Sequence, residues 1–230
     1  MNSSQIMTKI ISIRYNTPLA LDKIPFFRGA IIQQCEGQIS EETFKFLHNH
    51  TDEGLIYSYP LVQYKLIEGK AGIVLIGEAC QVADHLIRPN TISANIDGIS
   101  HDLLVENASI NFIDLEPKAE LFNYRIRNWL PLNQANYEKF IHADGVIEQY
   151  TLLERILVGN VISMAKGLGI SIEDRITCKI TLLKNTRTVI FKGIKMLAFD
   201  LQFKSNIDFP EQIGLGKGVS RGFGVITKEK

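Results

Sequence analysis

The stretch YPLVQYKLIEGKAGIVLI, residues 59–76, decides the fold. Two runs rich in Val, Ile, Leu and Tyr, 59–67 and 70–76, are separated only by Glu68-Gly69. A short polar-Gly pair between two β-prone runs is a hairpin signal, because a tight turn between twisted strands needs a residue that accepts positive φ. On the amino-terminal side, residues 8–15 (TKIISIRY) alternate as a strand. IPFFRGAIIQQ follows, with Pro25 suited to the first turn of a helix. Ser40 before Glu41 and Glu42 caps a short helix ending near His48. On the carboxy-terminal side, 78–87 (EACQVADHLI) reads as a helix stopped by Pro89, and strand-like residues recur near 103–113. The order β-α-β-β-α-β is the ferredoxin-like pattern.

The second half repeats the theme less regularly. A strand is expected over 119–130 (AELFNYRIRNWL), then a long helix over 144–168 with Asp144 as N-cap and Gly169 as its stop. Val146, Ile147, Tyr150, Leu153, Leu157, Val161 and Met164 recur at helical spacing. Strands at 176–183 and 187–193 flank an expected turn at Asn185-Thr186, and 196–204 alternates again. The expected fold class is therefore α+β, with tandem ferredoxin-like (βαββαβ) domains over residues 1–114 and 115–230, the second less regular.

The chain of 230 residues, 45% apolar and 22% charged, has the composition of a globular protein with a substantial core. No run of 18 uncharged apolar residues is present, so no membrane partner is expected. The start MNSSQIMTKIISIRY lacks the features of a signal peptide. Cys35, Cys80 and Cys178 are an odd number without CxxC spacing, which argues against a disulfide framework or a zinc site and fits a reducing cytoplasm. The formal net charge of zero conceals an asymmetry. Residues 175–230 hold eleven Lys or Arg against four acidic groups, an excess balanced by the acidic remainder. Such a local basic footprint fits either a polyanion site or a solvated strand surface.

Residues 214–224 read Gly-Leu-Gly-Lys-Gly-Val-Ser-Arg-Gly-Phe-Gly. Glycines Gly214, Gly216, Gly218, Gly222 and Gly224 let backbone N–H groups approach an anion, with Lys217, Ser220 and Arg221 adding charge and a hydroxyl. A structural hinge is the plainer alternative. A P-loop is excluded because Gly218, not Ser or Thr, follows Lys217. A dinucleotide fingerprint fails because Val219 or Arg221 stands where glycine is needed.

The spacing Gly214-Leu-Gly216, five residues with two cations, then Gly222-Phe223-Gly224 resembles the carboxy-terminal loop of CRISPR-associated repeat-processing endoribonucleases of the RAMP superfamily. FFRGAI (26–31), LHNH (47–50) and YPLVQYK (59–65) extend the resemblance through the first half, toward a two-histidine branch. The resemblance implies tandem ferredoxin-like domains and metal-independent cleavage of CRISPR repeat precursor RNA into guide RNAs, with no cofactor. It also allows other CRISPR-associated proteins and a homodimer as partners. The alternative from another class is a non-catalytic RAMP-type RNA-binding subunit of a CRISPR effector complex. A third reading is a protein-interaction module with an incidental glycine loop.

RNA cleaves itself when its 2′-hydroxyl is deprotonated and the leaving 5′-oxygen is protonated, and histidine suits both tasks at neutral pH. His48 and His50 are two residues apart. The resemblance places the catalytic histidine here, His50 first and His48 as alternate or partner. Surface histidines at a helix end are the simpler reading of the same residues. Tyr57 could hold the phosphate or be a half-buried aromatic; Lys45 could stabilise the transition-state charge or be a solvated helix residue. The sequence departs from the family pattern in having no Lys between His50 and Lys65. The adjacent His-Asn-His is not a metal nuclease motif, since adjacency forbids that geometry. His85, His101 and His142 read as structural, with His101 in a loop beside Asp102. Arg125 and Arg127 fall on one face of the 119–130 strand with Trp129, either as an RNA platform or, more simply, as an edge over a core tryptophan.

Overall fold

A computed structural model describes residues 7–48, 50–51, 54–55, 59–88 and 91–229. The chain divides into two compact units, residues 1–114 with Ser220–Gly222, and residues 115–219 with 223–230.

In the first unit β1 (Thr8–Pro18) leads to α1 (Ile24–Cys35), with Pro25 in its first turn as expected. α2 (Glu41–His48) follows, and the Ser40 hydroxyl oxygen accepts from the Thr43 N–H at 3.3 Å, the predicted cap. A two-residue ladder, β2 (His50–Thr51) with β3 (Gly54–Leu55), precedes β4 (Val62–Ile67) and β5 (Lys70–Ile76). Glu68 and Gly69 turn at φ 52° and 78°, the mirror-image geometry suited to strand twist. A 3-10 turn over Gly77–Val82 and the short α3 (Ala83–Ile87) lead to β6 (Ile92–Ile96), β7 (Ile99–Leu103) and β8 (Val105–Ile113). The main sheet runs β4-β5-β1-β8, antiparallel throughout, which is the ferredoxin-like order.

The alternation of β1 sends Ile11, Ile13 and Tyr15 into one core with Phe27 and Ile31 of α1, Tyr64 of β4, and Ile73 and Leu75 of β5. Phe27 stands edge-on to both Tyr15 and Tyr64, with ring centroids 6.0 and 5.9 Å apart.

The hairpin β6–β7 was not anticipated. Asp97 and Gly98 turn it at φ 54° and 81°, while Ile92, Ala94 and Ile96 join the core. The strand expected over 103–113 is thus the end of β7 followed by β8, and His101 lies on β7 rather than in a loop.

The second unit contains β9 (Phe122–Trp129), α4 (Gln134–Ile141), α5 (Val146–Gly167), β10 (Cys178–Phe191), β11 (Ile194–Ser205) and β12 (Val225–Lys228). Its sheet order β10-β11-β9-β12 repeats that of the first unit. Between β11 and β12, where a ferredoxin-like unit carries its second helix, residues 206–224 form turns and bends instead. Leu153, Leu157, Val161 and Met164 bury one face of α5, but Val146 and Ile147 in its first turn are exposed. Gly145, not Asp144, is the N-cap, and the Glu148 carboxylate accepts the Asp144 N–H at 2.6 Å. The helix α4, capped by the Asn133 side chain on the Asn136 N–H at 2.8 Å, was unanticipated.

Two expectations are corrected in this sheet. The turn at Asn185-Thr186 does not exist: β10 runs unbroken to Phe191, and the chain reverses at Lys192-Gly193, φ 51° and 79°. Lys184 is an extra residue between the pairs Leu183↔Leu201 and Asn185↔Asp200, and the polar residues at this bulge look like a turn in sequence. Nor does Trp129 share a face with Arg125 and Arg127 in simple alternation. Asn128 adopts φ 52°, the register slips between Ile126 and Trp129, and the indole is fully buried with its N–H donated to the Asn160 side-chain Oδ1 at 3.0 Å.

Candidate nucleic-acid interface

The segment that carries the paired histidines begins in α2. Phe44, Phe46 and Leu47 pack this helix on the core of the first unit, and Lys45 lies on its exposed side. His48 is the last residue of α2, and His50 opens the β2–β3 ladder opposite Leu55. The backbone thus holds the two histidines on either side of one helix end. Tyr57 lies outside the described residues.

Beneath that helix end sits Arg28 of α1, half-buried. Its guanidinium reaches the Leu47 carbonyl oxygen at 3.5 Å and lies 6.0 Å from the centre of the Tyr64 ring. A cation at the last carbonyls of a helix offsets the negative end of its dipole. Burial lowers the proton affinity of Arg28, the Tyr64 hydroxyl opposes that, and the positive charge of Arg221 lowers it further.

Arg221 reaches this place through the glycine-rich loop. β4 is the outer strand of the first sheet, and Arg221 forms a parallel bridge with Tyr64 along it. Gly222 is the position that permits this approach. It adopts φ 83°, and an added Cβ would strike the Ile24 side chain and come within 3.6 Å of the Lys65 Cα.

The loop is held at its apolar positions. Leu215, Val219 and Phe223 are buried, and Phe223 meets Phe191 edge-on with centroids 5.4 Å apart. The neck is closed by backbone bonds: Leu215 N–H to the Gly224 oxygen at 2.9 Å, Gly224 N–H to the Asn128 oxygen at 3.2 Å, and a bridge between Gly214 and Val225. An added Cβ at Gly224 would collide with the Leu215 carbonyl. Gly216 and Gly218 also take positive φ, Lys217 is exposed, and Ser220 is half-buried. Among the basic residues of the second unit, Arg125 pairs with Glu229 and Arg187 with Asp200, while Lys192, Lys195 and Lys204 are exposed.

Within β4 lies Lys65, fully buried, its ammonium donating to the Gln63 side-chain Oε1 at 2.7 Å. Gln63 in turn donates to the Pro60 carbonyl at 3.1 Å. Burial pushes the Lys65 ammonium down from its ordinary range to about 7. Among the described residues, no group of three or more His, Cys, Asp or Glu could hold a metal ion, and no helix is long and apolar enough to cross a membrane.

Two family descriptions match nearly the whole chain: the Cas6b N-terminal domain over residues 5–103 and the Cas6b C-terminal domain over residues 116–229. The chain belongs to the Cas6b family. A solved Cas6b structure is 29% identical, covers 97% of this chain and 100% of its own, and superposes with a TM-score of 0.84. A second, described as the CRISPR RNA processing endoribonuclease Cas6b, is 26% identical with the same coverage and a TM-score of 0.69. An uncharacterized protein of Methanocaldococcus jannaschii is 32% identical over 143 residues, which span 60% of this chain and 94% of that protein. The tandem ferredoxin-like RAMP fold expected from sequence is thereby shown. In this Cas6b-family chain, Arg28 and Lys65 are the two residues beside the site that the sequence did not reveal. Arg28 sat inside the FFRGAI motif, and its charge in an otherwise uncharged helix was the available signal.

Proposed function

We propose that this protein is an endoribonuclease that cuts CRISPR repeat precursor RNA without a metal, through attack by the RNA's own 2′-hydroxyl. The base removes the 2′-hydroxyl proton, the 2′-oxygen bonds to phosphorus, and the acid protonates the departing 5′-oxygen. One strand then ends in a 2′,3′-cyclic phosphate and the other begins with a 5′-hydroxyl. His50 and His48 carry the proton transfers, Tyr57 holds the phosphate, and Lys45 lends positive charge on the same helix as His48. Lys217, Ser220, Arg221 and the amides around Gly216, Gly218 and Gly222 grip the RNA backbone, with Gly214 and Gly224 closing the loop that presents them.

One observation carries this reading: Arg221, at the tip of the glycine loop, belongs to the same compact unit as the histidine segment and bridges to β4 beside it. The test is incubation of the purified protein with end-labelled repeat RNAs, with and without EDTA. Cleavage is expected in both, leaving a 2′,3′-cyclic end, and a single 2′-deoxy substitution at the cut site should stop it. The His48→Ala/His50→Ala double variant should bind repeat RNA and leave it intact. Cleavage that disappears with EDTA would overturn the mechanism; RNA binding with no cleavage at all would identify a guide-RNA subunit instead.

A further inference from the structure

Each four-stranded sheet has two outer strands, and an outer strand presents main-chain N–H and C=O groups that can pair with another chain. Three of these four edges are covered or interrupted. Along β12, the Ile226 N–H donates to the Ile213 oxygen at 2.8 Å, and Gly214 bridges to Val225. Strand β10 carries two register shifts and the cations Lys179, Lys184 and Arg187. Its Ile180 and Leu183 N–H groups donate to the Glu154 carboxylate at 3.0 Å and the Tyr150 hydroxyl at 3.3 Å. Strand β4 holds the Arg221 bridge at Tyr64.

Among the described residues, β8 has no such protection. From Asn107 to Ile113 it runs in unbroken register along Arg14 to Thr8, and its main chain bonds to nothing beyond β1. That run, NASINFI, contains no charge, proline or glycine. Ile110 stands opposite Ile11 and Ala108 opposite Ile13, so Ala108, Ile110 and Phe112 share the core face of the sheet. At its rim, however, Ile110 and Phe112 are 59% and 55% exposed. Edges that stay single are blunted by lysine, proline or a bulge, and a regular, uncharged, apolar edge is a pairing surface.

The strand is also complementary to itself. In an antiparallel pair turned about Ile110, that residue meets its own copy, the Phe112 ring falls opposite the small Ala108, and Asn111 falls opposite Ser109. No charge meets a like charge over residues 107–113. Glu106 lies outside that run and is held by the Lys70 ammonium at 2.6 Å.

We propose that β8 is a dimer interface, pairing antiparallel with β8 of a second copy so that two four-stranded sheets become one of eight strands. The two β4 strands then end the joined sheet, seven strand spacings or about 34 Å apart, and Arg221 of each copy stays at the far edge.

The experiment is sedimentation equilibrium of the full chain, freed of nucleic acid, over a concentration series at low and high salt. A dimer is expected whose affinity barely changes with salt, because the paired residues are uncharged. Ile110→Lys sets two ammoniums against each other and should weaken the dimer roughly a hundredfold or more. Its urea midpoint should stay near that of the unaltered protein, since the side chain is exposed. Ile190→Lys, a similar change on the interrupted edge β10, should leave the dimer intact. Ile110→Cys should cross-link to its own copy under mild oxidation, a link absent from the unaltered protein, because facing Cα atoms about 4.5–5.5 Å apart suit a disulfide.

A chain that stays monomeric throughout the series would overturn the proposal, as would a dimer that Ile110→Lys leaves equally tight. A dimer that dissociates in high salt would place the contact on a charged surface and reject β8. If Ile110→Lys unfolds at lower urea, the cysteine variant decides, and a dimer without the cross-link rejects β8. Neither RNA binding nor cleavage enters these readouts, so failure of the RNA reading leaves them unchanged.

Discussion

Replacing Lys65 with methionine should make the first unit more stable near neutral pH and abolish a specific part of its pH dependence. The ammonium is fully buried, and its affinity for a proton falls from the ordinary 10.5 to about 7 in the folded chain. The unfolded chain therefore holds the lysine proton between pH 7 and 10.5 while the folded chain has released it. Stability must rise with pH across that window, because it rises wherever the unfolded state binds more protons. Below pH 7 both states are protonated and the full cost of burying the charge remains. With these two values the cost of burying the ammonium falls by about 2 kcal/mol between pH 7 and pH 8.5.

The window should stop at pH 8.5. Burial pushes the Cys35 thiol of the same unit up to about 11, so above pH 9 it is charged first in the unfolded chain and offsets the rise from Lys65. Lys65→Met removes the proton linkage but leaves the Gln63 oxygen without that donor, a loss of about 1–3 kcal/mol independent of pH. The informative quantity is the difference between the two proteins at matched pH. The only tryptophan, Trp129, lies in the second unit, so its fluorescence is the wrong probe. Alkylation of the buried Cys35 thiol along a urea series reports the first unit, and comparison at equal pH cancels the intrinsic reactivity of the thiol. The stability advantage of the methionine variant should shrink by about 2 kcal/mol from pH 7 to 8.5. A constant difference would mean that the lysine is charged and well solvated, and the burial argument would fail.

Lys217→Ala removes an exposed loop cation and should lower the salt slope of RNA binding by about 0.7 with little change in the urea midpoint, checked by fluorescence anisotropy. Gly224→Ala combines left-handed φ with a collision at the Leu215 carbonyl, so it should cost at least about 2 kcal/mol in unfolding followed by Trp129 fluorescence.

The strand skeleton was legible because it rests on local signals. Glu68-Gly69 between two β-prone runs fixed one hairpin, and Ser40 marked the start of α2. The β6–β7 hairpin was equally legible: Asp-Gly at 97–98 between Ile92-Ser-Ala94-Asn-Ile96 and Ile99 is a strong short-range signal that the helix–strand expectation around it obscured. Lys192-Gly193 carried the same chemistry as Glu68-Gly69, but the polar bulge at Lys184 competed with it. The face of Trp129 was not legible, since an Asn at positive φ inverts the alternation and only the fold imposes that conformation. The histidine segment and the glycine loop could be found as separate stretches. Arg28 and Lys65 could not, because their surroundings include neighbours far along the chain, Arg221 for one and Gly222 for the other.

Three residues near the carboxy terminus, Ser220 to Gly222, count structurally with the first half of the chain. A gene severed after Asp114 would encode a product whose outermost strand, β4, lacks the bridge that Arg221 makes at Tyr64. Cutting the chain between its halves would therefore take from the first half a contact that its own residues cannot replace.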